Sequence, residues 1–404
     1  VADRSGPLAG IRVADFTWAW AGPQGSLLLA MLGAEVIKIE SRARLDHSRV
    51  HTLTAGSLRG GIDESPVFND LNLGKRSLTL NLKKTRARDL VKQLVPHCDV
   101  VLQNMRPGVL DKMGLGYPQL SQIKPDLIML SSSAVGATGP ERTYTGYAPT
   151  FACLSGIGDI SGHPDEPPIA LSGSVDLRVG TASAFAVLAA LIHRQRTGEG
   201  QDIDLSSTEV MSSMMGEAFV GYALNGRLPQ RVGNRSATGA PQGCYRCLES
   251  NGDPQWVSIA VATDSHWQAL KSVIADPRLD RFTNTASRLA AHDELDVIID
   301  EWTSQRPRSE AVRQLQAAGV PAAVVHSGRS LASDPHLAER GIFESVAHPL
   351  LGSVTVVGPP WKLQGAAIPG PAPLLGQHND YVLGEILGLE DDEIRALVDD
   401  EIVF

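Results

Sequence analysis

Short apolar runs with β-branched character recur along the first half of the chain, each followed by a helical stretch. Residues 11–16 (IRVADF) form the first; Gly22-Pro23, an apolar segment at 27–32 and a stop at Gly33 follow. Proline near a helix start and glycine just past its end predict a helix between them. Residues 35–40 (EVIKIE) alternate with period two and predict a strand. Strand, helix and strand in that order imply parallel strands with a right-handed crossover. The pattern continues, with strands predicted at 77–82, 99–103, 127–133 and 201–205 and helices at 85–95, 177–196 and 207–224. This alternation predicts an α/β, doubly wound sheet whose ligands collect at the carboxyl ends of its strands. The segments to watch are therefore 17–22, 41–46, 104–108 and 131–139.

Residues 139–174 are rich in Gly, Pro, Ser and Asp and read as a long irregular stretch, usually a sign of function. A second shift in composition, at 225–243, predicts a domain boundary. Beyond it, strands at 244–248, 256–262 and 321–325 and helices at 265–274, 294–304 and 308–318 predict a smaller α+β domain. The tail adds a strand at 354–357, a Pro-rich link at 369–373 and an acidic helix at 391–398.

Composition narrows the class. With 43% hydrophobic and 20% charged residues in 404, the chain has enough apolar surface to fold. A net charge of -9 disfavours nucleic acid as a partner. The longest apolar run, 182–192, is shorter than a membrane span needs, and no charged-then-apolar leader precedes Gly10. Four cysteines are too few for a disulfide scaffold, so a cytoplasmic enzyme that meets no membrane is expected.

Several chemistries lack their motif. No Walker-type loop, His-Glu-x-x-His or Gly-x-Gly-x-x-Gly is present, which counts against a nicotinamide dehydrogenase. Cys244 and Cys247 have redox or zinc spacing without a second pair, and in a strand they point to opposite faces. His47 and His51 stand four apart in a polar segment, and no metal is expected there. Cations gather at the strand ends and turns: Lys38, Arg42, Arg44, Lys75, Arg76, Lys83, Arg106 and Lys112. They fit either a phosphorylated ligand or ordinary surface. Asp176 stands just before the Ala-rich helix, as an N-cap or as an ionised nucleophile with room left by Gly173 and Gly180.

Residues 7–40 (PLAGIRVADFTWAWAGPQGSLLLAMLGAEVIKIE) resemble the class III coenzyme A transferases, the group of the formyl-CoA, carnitine and benzylsuccinate enzymes. GKRSLTLNLK (74–83), VLQNMRPGVLDKMGLGY (101–117), GYAPTFACLSG (146–156), residues 174–206 and GNRSATGAP (233–241) match in order. The resemblance implies a Rossmann-like large domain built from both chain ends, a smaller middle domain and an interlocked dimer. Its parts would be 1–205, a linker helix and loop at 206–235, a small domain at 236–330, and 331–404 returning to the large domain.

It further implies that acyl-CoA and a small carboxylic acid are the partners, with no permanently bound cofactor, and that Asp176 is the covalent nucleophile. Trp20, Ala21, Ser41, Leu80 to Lys83, Asn104, Met105, Arg106, Lys112, Met113 and Tyr144 to Tyr147 fall on CoA-binding positions. Ser41 replaces an arginine of the formyl-CoA enzymes, for which Arg42 or Arg44 would compensate. Trp18 and Trp20 stand where those enzymes carry His and Gln, and Ser236–Gly239 replaces their glycine-run loop. Two large aromatics favour a bulkier aromatic or dicarboxylic acceptor with succinyl-CoA as donor; Arg142, Arg178, Arg235 or His193 would meet a second carboxylate. Two other readings are an α-methylacyl-CoA racemase, whose histidine falls on Tyr147, and one subunit of a heteromeric transferase.

Overall fold

The computed structural model describes residues 6–50, 61–171, 173–250 and 252–404. The chain divides into two compact units, one within 1–157, 170–224 and 336–404, the other within 158–169 and 225–335.

The larger unit is organised by six parallel strands: β1 (Arg12–Asp15), β2 (Glu35–Glu40), β3 (Arg76–Thr79), β4 (Val100–Gln103), β5 (Ile128–Ser133) and β6 (Gln201–Ser206). Their order is β3-β2-β1-β4-β5-β6, so the winding reverses between β1 and β4. Period-two alternation separates two cores. Ala14, Ile37 and Val101 face one side, with Leu90 and the C-terminal Val382 and Leu397. Val13, Val36 and Val100 face the other, with Leu28, Val179 and Val187. Strands covered on both faces are what an all-parallel sheet requires.

The crossover helices include α1 (Ala21–Met31), α2 (Thr85–Leu94) and α3 (Ser174–Thr197), and α4 (Ser207–Ser213) follows the last strand. Two of them begin earlier than the pattern predicts. Gly22-Pro23 lies inside the first turn of α1, where proline's missing N–H costs nothing. α3 begins at Ser174 rather than 177, which places Asp176 within its first turn. The predicted helix at 207–224 is broken after Ser213 and resumes at Gly216–Asn225. The irregular stretch carries short helices at Ala148–Leu154 and Ile157–Ile160.

α3 also corrects the count of apolar residues. Its 24 residues are long and apolar enough to cross a membrane, with mean hydropathy 1.7 over 18 of them. Core helices pass the same test, and this one packs on α1 through two glycines. A Cβ on Gly25 would lie 3.1 Å from the Gly180 carbonyl, and one on Gly180 2.7 Å from Gln24 and 2.8 Å from the Ala21 carbonyl.

The smaller unit has a three-stranded antiparallel sheet, β7 (Gln242–Ser250), β8 (Asp253–Ala260) and β9 (Ala322–Val324). Helices α5 (Asp264–Ile274), α6 (His292–Thr303) and α7 (Arg308–Ala317) pack Trp267, Ile299 and Leu315 against it. Cys244 is exposed and Cys247 buried, as opposite faces of a strand demand. The chain ends with a hairpin, β10 (Phe343–His348) and β11 (Gly352–Val357), and with α8 (Asp391–Asp399) in the larger unit.

Candidate active site

The turn between β1 and α1 is fixed from below by two buried ion pairs. Lys75 Nζ lies 3.3 Å from Asp15 Oδ2, and Lys38 Nζ lies 2.9 Å from Asp46 Oδ2. Asp15 also accepts from the Thr17 amide at 2.9 Å and the Ser26 hydroxyl at 2.6 Å. Lys38 donates to the Thr17 carbonyl at 2.7 Å. Burial alone would raise the carboxyl of Asp15, but Lys75 and Lys38 hold it below its ordinary value. Burial acts in the same way on Asp46, where Lys38 and the amides of Ser48 and Ala19 prevail. The accepted Ala19 N–H is 2.9 Å away, and Ala19 has φ of 67°, a conformation alanine rarely takes.

The same turn is clamped from the side across the reversal of the sheet. Asn104, just beyond β4, accepts from the Trp18 amide at 3.0 Å and donates to the Trp18 carbonyl at 2.8 Å. Doubly wound sheets hold their ligands at this point.

A cavity of about 590 Å³ opens there, lined by Trp18, Ser41, Arg44, Leu80–Lys83, Asn104–Arg106 and Met113. A second, of about 450 Å³, is lined by Trp18, Trp20, Ala21, Arg44, His47, Tyr144, Tyr147 and Asp176. Trp18, Arg44, Asn104, Met105 and Arg106 line both, so the two form one crevice. Over Trp18 lies the Arg44 guanidinium, 4.2 Å from the ring centre, and His47 packs on the same indole at 4.9 Å. The Tyr147 hydroxyl is 3.4 Å from His47 Nδ1.

Asp176 is the carboxylate that lines the second cavity. No residue among those described hydrogen-bonds or pairs with its side chain, and Gly173, not Asp176, is the N-cap of α3. Burial pushes its carboxyl up to about 6. The helix N-terminus favours the anion, yet desolvation outweighs it. At neutral pH the group is still mostly an unpaired anion, as an attacking carboxylate must be.

The family model of CoA-transferase family III matches residues 8–379. The chain belongs to CoA-transferase family III. It is similar to the succinyl-CoA–D-citramalate CoA-transferase of Chloroflexus aurantiacus, 33% identical across 97% of this chain and 96% of the relative. The formyl-CoA:oxalate CoA-transferase of Streptomyces coelicolor is 30% identical across 96% of this chain and 97% of its own. Among solved structures, a CAIB/BAIF family protein from Brucella suis superposes with TM-score 0.84 at 29% identity, covering 95% of this chain and 100% of that one. This is accordingly a family III CoA-transferase, an enzyme whose substrates are CoA thioesters.

Against that membership, most residues carried over by resemblance meet in the crevice: Trp18, Trp20, Ala21, Ser41, Leu80–Lys83, Asn104–Arg106, Met113, Tyr144, Tyr147 and Asp176. Arg42 and Lys112 do not line it. Ser236 and Gly239 belong to the smaller unit. There a Cβ on Gly239 would meet the Val261 carbonyl at 2.7 Å, so its small size serves backbone packing.

Three expectations need correction. Gly180 leaves no room for substrate, because α1 occupies that space. The cations are not one ligand-facing cluster: Lys38 and Lys75 are buried in ion pairs, and Arg76 is held by His378 and Glu35. None of the residues named for a second carboxylate lines the crevice. Arg235 pairs with Asp293 and Asp296, Arg142 and Arg178 donate to the carbonyls of Gly139 and Ser174, and His193 faces Glu199 at 3.8 Å. His51 lies outside the described residues. Sequence reasoning missed Asp46 as the anchor of Ala19; its only signal was its place in the segment that follows β2.

Proposed function

We propose that this enzyme transfers CoA from succinyl-CoA to a dicarboxylic acid through covalent intermediates on Asp176. The single observation that carries the reading is the half-buried, unpaired carboxylate that lines one cavity with Trp18 and Trp20. In the first step an Asp176 oxygen attacks the thioester carbonyl and expels CoA thiolate, leaving a mixed anhydride. The thiolate attacks the aspartyl carbonyl, releases the donor acid and forms an aspartyl-CoA thioester. The acceptor carboxylate displaces CoA to give a second anhydride. CoA opens this at the acceptor carbonyl, which yields the new thioester and restores the Asp176 carboxylate. No net proton or electron is consumed. A dicarboxylic acceptor is supported by citramalate and oxalate, the acids in the relatives' names. Trp18 and Trp20 favour one larger than oxalate.

The test is trapping. Hydroxylamine added with succinyl-CoA should leave a hydroxamate on Asp176 by peptide mass spectrometry. Asp176→Asn should lose at least about 10³-fold in kcat, a nucleophile's share of covalent catalysis. Undiminished transfer by that variant sinks the mechanism.

A further inference from the structure

We propose that Arg44, stacked on Trp18, reads the distal carboxylate of both donor and acceptor acids and so sets dicarboxylate specificity. This rests on the reading above, because a single nucleophile exchanging acids in turn has a single acyl subsite. Whatever holds the far end of succinate during the first half of the cycle must hold the acceptor during the second.

Arg44 fits that task on three counts. It lines the cavity that contains Asp176 as well as the neighbouring one. Its guanidinium lies 4.2 Å from the Trp18 ring centre, and among the described residues it has no hydrogen-bond or ion-pair partner. Many other arginines are committed: Arg12, Arg49, Arg194, Arg231, Arg278 and Arg288, among others, carry carboxylate partners.

Position and chemistry agree. Arg44 is two residues from Asp46, which holds the Ala19 amide, so the guanidinium and the Trp18–Trp20 turn are tied to the same buried ion pair. A guanidinium on an aromatic face is weakly hydrated and pre-oriented, and its N–H fork matches a carboxylate. Arg106, the other uncommitted guanidinium of both cavities, follows Asn104 on the opposite side of the reversal and is left for the CoA phosphates.

The experiment compares succinyl-CoA transfer to a dicarboxylic acid and to a monocarboxylic acid of equal chain length. In Arg44→Gln the ratio of the two kcat/KM values should fall about 10- to 100-fold, the worth of a charge-assisted hydrogen bond. Arg44→Lys, which keeps the charge without the fork, should fall between. Arg106→Gln should lower both acceptors together. A flat ratio in Arg44→Gln would overturn the proposal, as would a parallel loss on both acceptors with weaker calorimetric binding of free CoA. In either case the reading above stands as long as the unaltered enzyme transfers from succinyl-CoA. Failure of the unaltered enzyme to transfer to any dicarboxylic acid overturns the inference together with that reading.

Discussion

At Asp176 burial opposes ionisation, and the consequences reach both rate and stability. A carboxyl raised to about 6 must be ionised to attack, so kcat/KM should fall as pH drops through about 6. A pH–rate profile whose acid limb lies near 4 would contradict this. Folding responds with the opposite sign. The native carboxyl holds its proton more tightly than the unfolded one, so its contribution is complete below the ordinary carboxylate value and is lost as pH rises through about 6. Asp176→Asn removes that half-buried charge. It should gain about 1–3 kcal/mol in urea unfolding at pH 7.5, with the gain vanishing near pH 4. Asp15 and Asp46 behave conversely, because their lowered values supply stability above the ordinary carboxylate range and lose it in acid. Only part of this was legible in sequence. An isolated aspartate before a small-residue helix drew attention, but its place in the first turn depended on where α3 starts.

Among elements, the crossing of α1 and α3 decides where Asp176 meets the turn that carries Trp18 and Trp20. Gly180 sits one turn after Asp176 and touches the Ala21 carbonyl, so the closeness of this contact sets the spacing between Asp176 and Trp20. Gly180→Ala poses two effects against each other. Helix propensity would gain about 1 kcal/mol, whereas forcing a methyl to 2.8 Å from backbone would cost about 1–3 kcal/mol. The clash should prevail, with a lower Tm and a kcat that falls more than KM rises. A higher Tm with unchanged kcat would show that α1 yields freely. Periodicity revealed that both helices exist; that their glycines interlock is a contact between residues 155 apart, Gly25 and Gly180, and no local pattern encodes it.

For the whole molecule, alternation of strand and helix made the doubly wound sheet readable, since each segment carried its own period. Strand order was not readable, and it is the order that sets Asn104 beside Trp18. Buried lysines were equally opaque. In EVIKIE, Lys38 occupies what looks like the wet face of a half-exposed strand, yet a parallel sheet has no wet face. Phe185 on α3 and Leu224 beyond α4 are 74% and 76% exposed. Large apolar side chains this exposed on helices are expected to be covered by a second chain. Sedimentation should therefore give a multiple of 43.1 kDa at micromolar concentration. A monomer with full activity would remove the dimer from the account.

The ion pairs beneath the Trp18 turn give the enzyme two populations of charge with different sensitivity to ionic strength. Lys38, Asp46, Lys75 and Asp15 are shut off from counterions, while Arg44, Lys83 and Arg106 lie open along the crevice. Added salt therefore weakens capture of anionic substrates and leaves the architecture of the site intact. Raising KCl at constant pH becomes a way of loosening the grip without disturbing the hand.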